Sequence, residues 1–168
     1  MIRRVFFSLP LALLLITAVG CGYNLRGTVA GAPEFTDLRL QLPESEPEFE
    51  RVLLRSLQTA GIGVHEAGDA NARNFPLLAI GPEQFSSRPA STTVQARAAQ
   101  ITLQLAVRVN LTDGETALID METLNVERTY YQDLRNIAGN REEAELLREE
   151  MRRDLLAQLM RRLEAAGR

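Results

Sequence analysis

The sequence predicts an α+β domain, a mostly antiparallel sheet of about four strands with two amphipathic helices packed on one face. Three observations predict it. Residues Ile101 to Thr112 alternate apolar with polar and run into Asp113-Gly114, the signature of a long hairpin with one buried face. Two other stretches, Phe49 to Ala60 and Leu147 to Leu163, carry apolar residues at helical spacing. Strands and helices follow one another as strand, helix, short strand, several long strands, helix.

Leu38-Arg39-Leu40-Gln41-Leu42 has the period of a half-buried strand, and Pro43 ends it. Ser45-Glu46-Pro47-Glu48 then has capping-box spacing, and Phe49, Val52, Leu53, Leu57 and Ala60 form the apolar stripe of a helix that stops at Gly61. Ile62 to His65 is a short strand, and Phe75 to Phe85 is a strand whose Pro82 requires an edge or a bulge. Ser86 to Ser91 is turn-like in composition.

In the hairpin, Ile101, Leu103, Leu105, Val107, Val109 and Leu111 share one face. Asp113-Gly114 suits the centre of a type I′ turn, and the chain returns as Glu115 to Tyr131. Ile119 and Met121 fall on odd positions but Leu124 and Val126 on even ones, so a β-bulge is expected near Glu122 or Thr123. The last helix is expected from an Asn140-Arg141-Glu142-Glu143 capping box, with Leu147, Met151, Leu155, Leu159 and Leu163 as its stripe and Gly167 as its cap. Glu145 with Arg148, and Glu149 with Arg153, are spaced to pair along its solvated side.

The N-terminus reads as an export signal. Met1-Ile2-Arg3-Arg4 is a positive start, and Val5 to Val19 is an apolar run too short to span a bilayer comfortably. It ends at Ala18-Val19-Gly20-Cys21, which resembles a lipobox, where a cysteine thiol receives a lipid before cleavage. Residues 1–20 are therefore expected to be a cleaved lipoprotein signal peptide and residues 21–168 a single domain anchored through acyl chains, such as palmitate, on Cys21. Cys21 is the only cysteine, so no internal disulfide is available to it, and several chains exceed what stable anchoring requires. Gly22, rather than Asp, after the cysteine resembles the signal for release to the outer membrane.

Loss of Arg3 and Arg4 moves the formal charge from -3 to about -5, which favours no nucleic-acid partner. All 19 basic residues are arginine, forked cations suited to phosphates and carboxylates. An enzyme needs titratable groups within mutual reach, and a chain with one histidine, His65, and one lipidated cysteine assembles none; no catalytic group, metal or cofactor beyond the covalent lipid is expected. Glu44, Glu46, Glu48 and Glu50 flank a helix start, where negative charge suits the helix dipole. The sequon Asn110-Leu111-Thr112 lies mid-strand and is read as chance. Arg88 and Arg97 bracket a polar connection, and Arg128, Arg135 and Arg141 surround the exit from the second long strand; they are either solvated strand-end charges or contacts for anionic headgroups.

Cys21-Gly22-Tyr23-Asn24-Leu25-Arg26-Gly27 resembles the start of the LPS-assembly lipoprotein family, LptE. The likeness continues through Leu38 to Gly61, the hairpin, Tyr130-Tyr131, and the terminal helix with Met151, Gln158-Leu159 and Arg161-Arg162-Leu163. It implies a non-enzymatic outer-membrane lipoprotein that plugs the LPS-translocon β-barrel LptD, assists its assembly, and binds lipopolysaccharide. The positions nearest the family's basic sites are Arg97 and Arg141. The alternative is a lipoprotein carrying a lipid or acyl chain in its own apolar cavity, for which a large internal pocket would be diagnostic.

Overall fold

The computed structural model describes residues 35–42, 47–92, 98–133 and 135–167. The element order is β1 (Asp37–Gln41), α1 (Pro47–Thr59), β2 (Gly63–Glu66), a 3-10 turn (Ala70–Ala72), β3 (Leu77–Ile80), β4 (Gln84–Thr92), β5 (Ala98–Asp113), β6 (Thr116–Asp133) and α2 (Ile137–Ala166). The expected four-strand, mostly antiparallel sheet is corrected to a six-stranded mixed one. β1 pairs in parallel with both β2 and β3, whereas β3, β4 and β6 pair antiparallel with β5. The parallel pairing follows from the connection: a helix between two strands carries the chain back to the starting side, so β1-α1-β2 cannot be a hairpin.

β5 organises the sheet. β6 runs along one of its edges, and β3 and β4 share the other end to end, β3 opposite Val109 to Thr112 and β4 opposite Ala99 to Ala106. The proline-containing run is thus two strands, broken at Gly81-Pro82-Glu83. Gly81 N–H still donates to Arg108 O at 2.8 Å, but Pro82 has no N–H to continue the ladder. The stretch expected to be a turn, Ser86 to Ser91, is part of β4; Pro89 is tolerated there because β4 is an edge strand, and the register shifts beside it.

α1 ends in a Schellman arrangement. Ile62 N–H donates to Leu57 O and Gly61 N–H to Gln58 O, both at 3.0 Å, with Gly61 at φ 78°, a conformation that glycine adopts without strain. The residues expected to cap its start, Ser45 and Glu46, lie outside the described residues. The hairpin turn falls one residue later than expected: Asp113 pairs with Thr116, so Gly114-Glu115 is the loop, opened by Gly114 at φ 56°.

β6 accommodates its odd-even conflict by bulging slightly earlier than expected. Val109 pairs with Glu122 and Leu111 with Ile119, which inserts an extra residue at Asp120-Met121, and a second shift follows at Leu118. Ile119, Leu124, Val126 and Tyr130 are buried, while Met121 is expelled to 73% exposure.

α2 begins a turn before the expected Asn140. Asn136 is the cap, its side chain accepting from Gly139 N–H at 3.1 Å, and Gly167 closes the other end by donating to Leu163 O at 3.0 Å. Asn140 is instead buried and bound to the end of β6. Its Oδ1 accepts from Asp133 N–H at 3.0 Å and its Nδ2 donates to Asp133 O at 2.6 Å. Leu38, Leu78 and the apolar face of β5 form one core with Phe49, Leu53 and Leu57 of α1 and Met151, Leu155, Leu159 and Leu163 of α2.

Candidate functional site

The sheet face opposite the core carries the chemistry. Arg88 of β4, Thr102, Gln104 and Arg108 of β5, and Glu127 and Thr129 of β6 lie on it, out of register parity with the buried leucines and valines. Its hydrogen-bonding groups meet one another: Arg88 Nη2 donates to Glu127 Oε1 at 3.1 Å across β5, and the Thr102 and Thr129 hydroxyls stand 3.4 Å apart. It is a wet surface of mostly neutral side chains on which Arg108 is a further charge and the Arg88–Glu127 ion pair spans three strands.

The arginines around the hairpin are distributed unequally. Arg88 has Glu127 as its partner, and Arg128 donates to Asp154 of α2. Arg135 donates its backbone N–H to Asp133 Oδ1 at 2.9 Å. Arg141 is exposed on α2, next to the Asn140 that ties that helix to β6. Arg97 and Cys21 lie outside the described residues. Arg148, spaced to pair with Glu145, also takes part in a longer-range pair described next, and Arg153 Nε donates to the Glu149 carbonyl oxygen at 3.4 Å.

A buried ionic cluster joins the β3–β4 break to α2. Glu83, with a side chain only 2% exposed, accepts from Arg148 Nε at 3.0 Å and Nη2 at 2.6 Å on Oε1. Arg152, itself 8% exposed, donates from Nε to Oε2 at 2.8 Å and from Nη2 to Oε1 at 3.0 Å. The Arg148 guanidinium also lies 4.7 Å above the Phe85 ring. Burial pushes the Glu83 carboxyl up, but hydrogen bonds from Arg152 and Arg148, with their charge, outweigh it and hold the group below the ordinary range. Charge-assisted bonds of this kind fix a helix on a sheet, since every lone pair must be satisfied once the carboxylate leaves water.

His65 is accounted for by packing. Its Nε2 is 3.0 Å from Asp37 Oδ1 on the neighbouring strand, and its ring stacks on Phe75 with centroids 5.0 Å apart. The His65 hydrogen bond, followed by that of Thr36, lowers the Asp37 pKa. Among the described residues no group of three potential ligands is placed to hold a metal ion, and no helix is long and apolar enough to cross a membrane.

A family model described as lipopolysaccharide-assembly, LptE, matches residues 28–163. The chain belongs to the LptE family of LPS-assembly lipoproteins. An LPS-assembly lipoprotein LptE of Yersinia pestis is 28% identical over 161 residues, covering 96% of this chain and 76% of that protein, and one from Yersinia pseudotuberculosis matches to the same extent. Two solved structures share the fold. A minor lipoprotein from Acinetobacter baumannii superposes with a TM-score of 0.63 at 20% identity, covering 78% of this chain and 92% of that one. The rare lipoprotein B from Shewanella oneidensis gives 0.60 at 23% identity, covering 76% and 96%. As an LptE-family member the chain is a non-enzymatic, membrane-associated lipoprotein of LPS assembly. Within this LptE-family domain, sequence reasoning missed Glu83 and Arg152. Both resemble ordinary solvated charges in one dimension; the only signal was Arg152 next to Met151 on the apolar side of the helix.

Proposed function

We propose that this LptE-family chain sits inside the lumen of the β-barrel LPS translocon LptD, anchored in the outer membrane by acyl chains on Cys21. Residues 1–20 are removed as a signal peptide, and residues 21–168 act as one plug domain. The observation that carries this reading is the open sheet face: a lumen is filled with water and lined by polar side chains, and a plug must present neutral donors and acceptors to it. Thr102, Gln104, Thr129 and the internally paired Arg88 and Glu127 supply such a surface, while the two helices close the other face. The mechanism is binding: the domain orders the barrel and offers guanidinium groups to lipid A phosphates.

A carrier of lipid or acyl chains would need an enclosed apolar cavity. Among the described residues, surface recesses of about 390, 330 and 440 Å³ are open depressions, and leucine, valine and phenylalanine side chains occupy the space between sheet and helices. That arrangement favours the plug.

The anchor is tested by Cys21→Ser. The expected product is an uncleaved or unlipidated precursor whose intact mass lacks lipid; a wild-type protein with no lipid mass and another N-terminus contradicts the assignment. Neutral replacement of both Arg97 and Arg141 tests ligand contact. LPS pull-down is expected to weaken while barrel copurification persists, because exposed charges seldom decide an interface whose affinity rests on a buried centre. Unchanged LPS binding would move the contact to Arg135 or to the paired Arg88 and Arg128. Loss of barrel association in a folded protein would place the two arginines in the protein interface instead.

A further inference from the structure

β6 has one partner, β5, and among the described residues no strand lies along its other edge. The direction of its outward backbone groups is fixed by three contacts. Asn125 O accepts from Gln158 Nε2 at 3.3 Å, Glu127 O from Arg128 Nη1 at 3.0 Å, and Asp133 is bound at both N–H and C=O by Asn140. All three residues are odd-numbered, and the register from Glu122 to Asp133 is unbroken. In an antiparallel strand N–H and C=O of one residue point the same way and alternate along the chain, so Thr129 and Tyr131 point outward as well. Their side chains are exposed, Tyr131 at 71%, and lie on the open polar face.

The edge is therefore closed at both ends and open in the middle. Gln158 blocks the Asn125 end, the Asn140 carboxamide occupies the place of a paired residue at Asp133, and between them Glu127 N–H and both backbone groups of Thr129 and Tyr131 remain for a partner. A row of free strand groups is a template for strand addition. We propose that the Glu127–Tyr131 edge of β6 accepts a short, basic, extended segment of the barrel partner as an added strand; this rests on the lumen-plug reading above.

Length and charge select that occupant. A second copy pairing β6 against β6 about Thr129 would set Asn125 against Asp133, where the carbonyl of the first and both groups of the second are already taken. It would also bring together two strands that each carry Asp120, Glu122, Glu127 and Asp133 against the single cation Arg128. A short segment avoids the blocked ends, and Glu127, half exposed and bound to Arg88 through Oε1 alone, offers its second carboxylate oxygen to a lysine or arginine of the added strand.

Hydrogen exchange on the full lipidated chain, alone and captured with its barrel from solubilised outer membranes, tests this. Inward amides of β6 are slow in both states, so the complex is expected to add three slow amides, Glu127, Thr129 and Tyr131, each retarded about a hundredfold or more. Thr129→Pro, which removes an outward N–H and leaves the β5 ladder its donors, is expected to lose this protection and weaken capture; wild-type exchange decides the matter should the variant not fold. Capture of the barrel with those amides still fast overturns the strand-addition proposal and leaves the plug reading standing. Failure to capture a barrel overturns both. Concentration-dependent protection of the isolated chain would assign the edge to a second copy and overturn the proposal as stated.

Discussion

Glu83→Gln is expected to destabilise the domain by about 3 kcal/mol, the low end of the cost of removing one partner from a buried ion pair. The carboxylate is nearly sealed from water and faces two guanidinium groups, one of them almost as deeply buried. Without it Arg152 keeps its charge but loses the opposing charge and one of two acceptor oxygens on residue 83, since an arginine does not deprotonate at any accessible pH. The same residue predicts the response to acid. Its carboxyl titrates below the ordinary value in the folded chain, so between the two values the unfolded chain binds the proton more readily and stability rises with pH. The contribution is complete above the unfolded value of about 4.5 and disappears as pH falls through the folded one. Denaturant melts from pH 6 to pH 3 are expected to show a steeper acid loss in wild type than in Glu83→Gln, an interval of about three units set by ordinary carboxylate titration. Equal slopes would mean that the cluster does not couple to folding.

Leu105→Ala is expected to cost about 2–5 kcal/mol, the range for deleting a leucine side chain from a packed core. Leu105 is fully buried at the middle of β5, between Phe85 of β4 and Val126 of β6, beneath the helices. It has neighbours on both sides and above, so little can collapse into the cavity. A chemical denaturation midpoint converted to free energy checks this, and a loss under about 0.5 kcal/mol would place Leu105 on the wrong face.

Much of this was legible in one dimension because periodicity reports burial directly. The alternation from Ile101 to Leu111 and the four-residue steps from Leu147 to Leu163 identified the core faces that the structure buries. The need for a bulge was also legible, since odd and even apolar positions cannot share a face; its place was not, because either side of Met121 resolves the conflict. Sheet order was hidden. β2 was expected as Ile62 to His65 and β3 lay within the run Phe75 to Phe85, but nothing local shows which strands they pair with or that β3 and β4 share one edge of β5. Asn140 was misread for a related reason: its side chain suits a helix cap, but Asn136 offers the same chemistry one turn earlier, and the Asp133 backbone claims Asn140. Glu83 and its arginines lie 65 and 69 residues apart, a separation that no local pattern bridges.

The plug reading is tested most directly by a photo-reactive amino acid at Gln104, at the centre of the open sheet face, in cells expressing the lipidated chain. Gln104 is opposite the helices and outside the ionic cluster, so the substitution leaves core and cluster intact. The account predicts an ultraviolet-dependent adduct with the β-barrel, mapping to barrel residues that face the lumen, and the same barrel recovered by affinity capture without irradiation. An exposed, fully lipidated protein that cross-links only to itself or to periplasmic proteins, with no barrel recovered, would contradict it.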